Sequence, residues 1–189
     1  MLKLPLGRAI CYSGYRDGQS PGERIFPSES EILEDLRMLE PHWRLLRLYD
    51  CSLHAQRVLS VIQQHQLDFQ VMLGAYVGAE VNNPDCPWGA SYSEEQLRAN
   101  ALENDAEIDR LISLASRFGD ILFSVAVGNE ATVDWTDHLV PVRRMIELVR
   151  RVKGHTRLPV TFCENYVPWH GKLRDLADEL EGALGGAEV

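Results

Sequence analysis

The stretch "ILFSVAVGNEATVDW" at residues 121–135 joins an aliphatic run to a polar end. The Ile, Leu, Phe and Val content of residues 121–127 is typical of a strand that is buried on both faces. The run stops at Gly128, and Asn129 and Glu130 follow at once. Because an unpaired polar group is costly to bury, both side chains are expected at a surface. The stretch therefore predicts a buried strand whose carboxyl end presents an amide and a carboxylate.

The same alternation of patterns extends along the whole chain. Further aliphatic or β-branched runs, which are strand candidates, lie at 8–16, 43–50, 69–77 and 158–166. Between the five runs, apolar residues recur at helical spacing, and the fourth such segment runs from Leu139 to Val149. Strands that are buried on both faces and separated by helices indicate right-handed βαβ units and a parallel sheet. The predicted fold class is α/β.

Capping residues mark the ends of three of these helices. Ser28 and Glu31 form a capping-box pattern before the first helix. Gly119 and Gly154 follow the third and fourth helices, where a left-handed residue is expected to close each one.

Two α/β architectures remain open, a doubly wound sheet and a (β/α) barrel. No G-x-G-x-x-G or P-loop pattern follows the first strand, so a nucleotide-binding open sheet lacks its usual sequence signal. Polar residues follow every strand candidate, and in a barrel they would converge on one rim. The long segment 77–96 would then be an enlarged rim loop. These strand-end residues are Tyr12, Tyr15, Arg16, Arg47, Tyr49, Asp50, Tyr76, Glu80, Asn129, Glu130, Glu164, Asn165 and Tyr166.

The composition is typical of one globular domain, predicted to span residues 1–189. The chain is 45% hydrophobic and 25% charged, with a formal net charge of −9. Its Lys and Arg residues are scattered rather than gathered in a stripe, which argues against a nucleic-acid partner. No membrane span and no secretory h-region is predicted, so the chain as given is expected in the cytoplasm. A secreted or periplasmic location stays open if the N-terminus is incomplete.

The cysteines suggest neither a disulfide framework nor a metal centre. Cys11, Cys51, Cys86 and Cys163 are widely spaced, without a C-x-x-C pair, and are interpreted as small buried hydrophobes. Cys51 and His54 lie one helical turn apart, but no second ligand pair accompanies them. No metal or cofactor is predicted.

Five segments in order identify a resemblance to a known family. "ICYSGYRDGQSP", "LLRLYD", "VMLGAYV", "VAVGNEATVDWTD" and "PVTFCENYVPW" resemble bacterial members of glycoside hydrolase family 17, the β-1,3-glucan-active (β/α)8 barrels. The resemblance covers residues 8 to 169. It implies a (β/α)8 TIM-barrel type fold, of which this chain contains about the first five βα units.

The resemblance also implies site residues. Glu130 resembles the general acid/base of that family, and Asn129 resembles the amide that binds the sugar near its 2-hydroxyl. The chemistry is consistent, because protonating a glycosidic oxygen requires a carboxylic acid. An alternative role for Glu130 is capping of the following helix.

Further substrate-binding residues are predicted around this pair. Tyr12, Arg47 and Tyr49 fall on strands that line the family's sugar cleft, although packing and ion pairing are their alternative roles. Trp135 and Trp169, like Trp88, lie in strand-end loops, where each either stacks on a sugar or anchors its loop. Glu164 is interpreted as substrate-binding or as a charge neighbour of Glu130, with a simple surface carboxylate as the alternative.

The chain departs from the family in its length. A (β/α)8 barrel takes about 250 residues, and the family's nucleophile Glu follows on a seventh strand. The 189 residues end earlier, so the two-carboxylate site is expected to be incomplete, and the Gly-rich residues 181–189 are expected to fray. Uncovered barrel edges are expected to promote self-association.

Three functional classes follow from these observations. The first is a retaining glycoside hydrolase or transglycosylase acting on β-1,3-glucan. The second is a non-catalytic glucan-binding or vestigial half-barrel module, because the nucleophile segment is missing. The third is a metal-dependent sugar isomerase or epimerase barrel, which is disfavoured because the strand ends carry mostly Tyr, Arg, Asn and Glu.

Overall fold

A computed structural model describes residues 4–89 and 91–181 of the chain. Residues 182–189, which make up most of the predicted frayed end, lie outside the described residues. Five strands alternate with helices from the start to the end of this part. The strands are β1 (Ala9–Cys11), β2 (Leu45–Leu48), β3 (Gln70–Ala75), β4 (Leu122–Asn129) and β5 (Val160–Cys163). The helices are α1 (Glu29–Leu39), α2 (Leu53–His65), α3 (Glu94–Arg117), α4 (Val142–Lys153), α5 (Tyr166–Trp169) and α6 (Arg174–Glu181).

The five strands form one parallel sheet in the order β1-β2-β3-β4-β5. A doubly wound sheet reverses its strand order at a switch point, whereas a barrel keeps the sequence order. The predicted α/β class and barrel-type arrangement are therefore confirmed. Within the described part, β1 and β5 each have a single neighbouring strand.

The alternation of side chains along β2 separates the core from the functional face. Leu46 and Leu48 are each 1% exposed and contribute to the hydrophobic core beneath the helices. Arg47 lies between them and points to the opposite face, because successive side chains of a strand alternate. On β4, Val125 and Val127 are likewise buried in the core. The sheet thus has one apolar face under helices and one face that carries polar groups.

The helix boundaries follow local chemistry, with two corrections to the sequence analysis. The capping box of Ser28 and Glu31 is confirmed. Gly119 and Gly154 are not left-handed, and Gly154 continues in right-handed helical geometry as the C-cap of α4. The predicted fourth helical segment begins too early, because Leu139 precedes α4. Since the residue before a proline is disfavoured in helical geometry, Pro141 delays the start of this helix to Val142.

Candidate active site at the strand ends

The carboxyl ends of β2 and β4 meet through a direct side-chain contact. Arg47 Nη2 donates to Asn129 Oδ1 at 2.6 Å. The Arg47 guanidinium also lies over the Tyr49 ring, 4.6 Å from its centroid. Asn129 precedes Glu130, so these four residues are called the strand-end cluster. The cluster brings together four of the residues that the sequence analysis predicted for the site.

Glu130 adopts an unusual backbone conformation. Its φ is 48°, in the left-handed region that costs a non-glycine residue about 1–2 kcal/mol. The side chain is exposed, and in residues 4–89 and 91–181 it makes no hydrogen bond. Such backbone outliers concentrate at functional sites, where the surroundings hold them in place. The carboxylate is therefore free to meet a ligand.

The chain enters this conformation through Gly128. Its φ is 84°, and an added Cβ would lie 2.9 Å from Met145 Cε and 3.1 Å from Phe162 Cε2. Only glycine fits, because a side chain would collide with the core while the backbone is left-handed. The β4–β5 register also shifts between Ala126 and Asn129. This irregularity turns the end of β4 so that Asn129 shares the polar face with Arg47.

The β4–α4 loop is fixed next to Glu130 by side chains of other residues. His138 Nε2 lies 2.9 Å from the Asn129 carbonyl oxygen, and His138 Nδ1 lies 2.7 Å from Asp137 Oδ1. Asn83 donates from Nδ2 to the carbonyl oxygens of Asp134 and Thr136, at 2.8 Å each. These contacts join the β3–α3 and β4–α4 loops into one rim. The sequence analysis missed His138, although the polar run Thr136, Asp137 and His138 after the fourth strand was a usable signal.

Glu164 forms part of the same rim. Its Oε2 accepts from Thr132 N at 2.9 Å and from Thr132 Oγ1 at 2.7 Å, while Oε1 accepts from Asn165 N at 2.7 Å. All these donors are protein groups in the loops after β4 and β5. Glu164 therefore lies on the same rim as Glu130, and each of its carboxylate oxygens accepts at least one hydrogen bond from the protein.

The exposed aromatic side chains gather at this edge of the sheet. Five of the large exposed side chains in the described residues are aromatic. Each of the five lies in a connection that follows β2, β3, β4 or β5. Aromatic rings with one apolar face in water are suited to stacking on sugar rings. These residues are Tyr49, Tyr76, Trp88, Trp135 and Tyr166.

Two predicted binding residues direct their side chains away from the cluster. Tyr12 is 7% exposed, and its hydroxyl donates to Asp35 Oδ2 of α1 at 2.9 Å. Burial, together with Asp35, raises the pKa of Tyr12 far above its ordinary value. Trp169 packs edge-on against Phe162, with ring centroids 5.9 Å apart. The structure therefore does not bring Tyr12 into the strand-end cluster, and it joins Trp169 to the core.

Helix α3 supports the strand ends from the outer side. Glu107 is 6% exposed, and its Oε1 accepts from Cys51 N at 2.7 Å and from Tyr76 N at 3.3 Å. Burial raises the pKa of Glu107, against the opposing effect of its hydrogen bonds with Cys51 and Arg110. The sequence analysis missed Glu107, which a polar residue on the apolar face of a helix could have signalled.

A cleft of about 550 Å³ is lined by the start of α2, by α3 and by residues 21–26, with Glu107 and Tyr76 among its walls. It is separate from the strand-end cluster, because Arg47, Asn129 and Glu130 do not line it.

Two of the four cysteines depart from the predicted burial: Cys51 and Cys86 are buried, whereas Cys11 is exposed and Cys163 is half-buried. Cys51 donates to the Gly74 carbonyl oxygen at 3.3 Å, and burial raises the pKa of its thiol. His54 Nε2 accepts from Gly14 N at 3.3 Å. No group of three or more His, Cys, Asp or Glu residues in the described ranges could hold a metal ion. No helix among the same residues is long and apolar enough to cross a membrane.

The parallel sheet in sequence order, with polar groups at its carboxyl edge, defines a fold of the (β/α)-barrel class. No family model matches the chain, and no curated protein matches it. The chain is similar in structure to an endo-laminarinase from Formosa Hel1_33_131, with a TM-score of 0.69 and 28% identity. This similarity covers 93% of the chain and 47% of the endo-laminarinase. The chain therefore spans about half the length of that relative.

Two structures from Rhizomucor miehei share the fold at lower identity. The glycoside hydrolase family 17 β-1,3-glucanosyltransferase from Rhizomucor miehei has a TM-score of 0.54 and 16% identity, over 96% of this chain and 68% of its own. An active-site mutant of the Rhizomucor miehei β-1,3-glucanosyltransferase in complex with laminaritriose has a TM-score of 0.55 and 16% identity, over 94% and 67%. The family 17-like fold predicted from the sequence is thus confirmed.

Proposed function

We propose that this chain carries the acid/base part of a retaining glycoside hydrolase or transglycosylase that acts on β-1,3-glucan. The observation that carries the proposal is Glu130, an exposed carboxylate in left-handed backbone geometry beside the Arg47–Asn129 contact. A strained residue persists where its surroundings hold it, and such residues cluster at functional sites. The similarity to the endo-laminarinase supports the choice of β-1,3-glucan as the substrate class.

Glu130 has the chemistry that the first step of glycoside cleavage requires. As a carboxylic acid it would protonate the glycosidic oxygen, and as a carboxylate it would later activate the attacking water or sugar hydroxyl. Its side chain is exposed at the rim, so a bound sugar can reach it. This assigns Glu130 the role of general acid/base.

Asn129 and Arg47 would orient the sugar. Asn129 Oδ1 accepts from Arg47, so the Nδ2 donors point away from the guanidinium and would be available to a ligand hydroxyl. Tyr49, held beneath the Arg47 guanidinium, and the exposed Trp135 offer ring faces to the apolar side of a pyranose. We assign these four residues to substrate binding.

The retaining mechanism needs a second carboxylate about 5 to 5.5 Å from the first. Glu164 is poorly suited to be this nucleophile, because its hydrogen bonds with Thr132 and Asn165 turn the carboxylate toward the backbone of the β4 and β5 loops. We therefore expect the chain as it stands to bind laminari-oligosaccharides and to hydrolyse them at a rate near background.

Titration of the chain with laminaritriose, followed by calorimetry and by two-dimensional NMR, tests the proposal. We expect amide shifts at Asn129, Glu130 and Tyr49, weaker binding in Asn129→Ala, and unchanged binding in Glu130→Gln. Maltotriose, which has α-linkages, is the control ligand. The proposal is wrong if laminaritriose causes no shifts at the strand-end cluster.

The catalytic role of Glu130 requires a separate test. In a chimera that takes the remaining strands from the endo-laminarinase, Glu130→Gln should abolish turnover of unactivated β-1,3-glucan, because an amide cannot donate the required proton. The first step, formation of the glycosyl-enzyme, should be slowed much less for substrates with very acidic leaving groups, because those groups need little protonation.

Glucan binding without catalysis is the second candidate function. It is favoured by the occupied oxygens of Glu164, which leave Glu130 as the free carboxylate at the ends of β4 and β5. The chimera separates the two candidates. A binding module would bind laminaritriose yet show no turnover that depends on Glu130.

A further inference from the structure

The backbone around Glu130 is held by hydrogen bonds before, at and after this residue. The Asn129 carbonyl oxygen lies 2.9 Å from His138 Nε2. Glu130 N donates to the Cys163 carbonyl oxygen at 2.8 Å. Thr132 N donates to Glu164 Oε2 at 2.9 Å. Two side chains outside the strand-end cluster, His138 and Glu164, thus contact the backbone on either side of Glu130, whose φ is unfavourable.

His138 is itself locked in place. Its Nδ1 lies 2.7 Å from Asp137 Oδ1 and 3.1 Å from Thr136 Oγ1. The Tyr76 ring packs beside the imidazole, with centroids 5.2 Å apart. Only 17% of the His138 side chain is exposed. These contacts fix the ring so that Nε2 faces the carbonyl oxygen of Asn129, which can only accept a hydrogen bond.

Glu164 acts on the other side of Glu130. Its Oε2 receives both the backbone N–H and the hydroxyl of Thr132, while its Oε1 receives the N–H of Asn165. A carboxylate that accepts hydrogen bonds makes stronger contacts than a neutral group. Glu164 therefore ties the residues after Glu130 to the end of β5.

We propose that His138 and Glu164 are positioning residues that hold Glu130 in its left-handed conformation and thereby aim its carboxylate and the Asn129 amide at the ligand. This inference rests on the proposed function for the identity of the ligand. In this proposal the side chains of His138 and Glu164 contact backbone groups of the site and do not touch the sugar. Removing either group should let Glu130 relax toward ordinary backbone geometry, because its side chain has no bond of its own to hold it.

Variants at His138 test the proposal in the whole chain. His138→Phe keeps a ring beside Tyr76 but loses the donor, whereas His138→Gln keeps an N–H donor. The three-bond HN–Hα coupling and the Cα and Cβ shifts of Glu130 report its φ, and calorimetry reports the affinity for laminaritriose. We expect His138→Phe to lose the left-handed signature and about tenfold in affinity. His138→Gln should restore both.

Glu164→Leu provides an independent arm, because it removes both acceptor oxygens, whereas Glu164→Gln keeps one oxygen that can still accept from both Thr132 donors. We expect the same loss of the Glu130 signature and a comparable fall in affinity. Lys172→Ala is the matched control, since Lys172 contacts Asp134 in the same loop at 2.6 Å without touching Asn129, Glu130 or Thr132. Lys172→Ala should keep the left-handed signature of Glu130 and the affinity for laminaritriose.

The two readouts separate failure of this inference from failure of the proposed function. A wild-type chain that does not bind laminaritriose overturns the proposed function, while the Glu130 coupling still tests the positioning role. His138→Phe with an unchanged coupling, or with a changed coupling and unchanged affinity, overturns the positioning role. If His138→Phe does not fold, Glu164→Leu gives the same comparison.

Discussion

Arg47 and Asn129 are separated by 82 positions in the sequence, yet Arg47 Nη2 lies 2.6 Å from Asn129 Oδ1. The contact spans the sheet from β2 to β4 and fixes which side of the Asn129 amide faces a ligand. The same guanidinium lies over the Tyr49 ring. The candidate site is therefore assembled from separate βα units, as expected where parallel strands end at a common edge.

Glu130 is expected to reduce the stability of the fold. Glu130→Gly should raise the free energy of unfolding by about 1 kcal/mol, because glycine adopts a positive φ without steric cost. Glu130→Ala keeps the Cβ and should bring no such gain. Urea denaturation of the two variants measures the difference. Equal stability of Glu130→Gly and Glu130→Ala would contradict the strain at this position.

Tyr12 should matter for stability and not for the ligand. Tyr12→Phe removes the hydrogen bond to Asp35 and should cost about 1 kcal/mol. Laminaritriose affinity should stay unchanged, because the hydroxyl is bonded to α1 away from Glu130. Denaturation and calorimetry measure the two effects. A loss of affinity with unchanged stability would restore Tyr12 as a binding residue.

His54 should make the fold sensitive to acid. Burial lowers the pKa of His54 below its ordinary value of 6.5, with Asp50 and Asp35 opposing this shift and Arg57 adding to it. The neutral ring accepts from Gly14 N, so protonation would remove that acceptor. Because the folded state resists protonation, its contribution is complete above pH 6.5 and is lost as pH falls through the lowered pKa.

Urea midpoints of the wild type and of His54→Gln, measured at a series of pH values, test this sign. Glutamine keeps an acceptor oxygen but does not titrate, so the stability of this variant should fall less steeply in acid. Parallel pH profiles of the two proteins would be inconsistent with the role of His54.

Trp135 and Trp169 should respond differently to truncation. Trp135 is 40% exposed, so Trp135→Ala should change stability by less than about 0.5 kcal/mol and weaken laminaritriose binding about tenfold. Trp169→Ala should cost about 2 kcal/mol, because its ring packs on Phe162 and is only partly buried. Paired denaturation and titration experiments measure both. The reverse pattern would exchange their roles.

The edges of the sheet should promote self-association. Backbone groups of β1 and β5 have one strand neighbour each in the described part, and unpaired edges are templates for another chain. Sedimentation should reveal dimers or larger species at high concentration, and dissociation should expose dye-binding apolar surface. Ala9→Lys, a charge on the exposed edge strand β1, should reduce association. A monodisperse wild-type monomer at every concentration would contradict the prediction.

Periodicity in the sequence was enough to identify all five strands and the helices between them. These elements are encoded locally, because a strand buried on both faces needs a continuous apolar run and a helix needs one apolar stripe. The capping box of Ser28 and Glu31 is equally local and is confirmed. Helix ends at Gly119 and Gly154 were predicted less well, because a glycine permits a left-handed conformation without requiring it.

Side-chain direction at the strand ends was set by long-range packing. Tyr12 and Arg47 both occupy strand ends, but Tyr12 turns to Asp35 on α1 while Arg47 turns to Asn129 on β4. The sequence indicated the residue types that line the edge, since polar groups cannot remain unpaired in the core. The contacts of Glu164 and His138 with the backbone around Glu130 depend on neighbouring loops that meet only after the sheet has formed. For that reason only the tertiary structure determined that the Glu164 carboxylate accepts hydrogen bonds from the protein while the Glu130 carboxylate accepts none from the described residues.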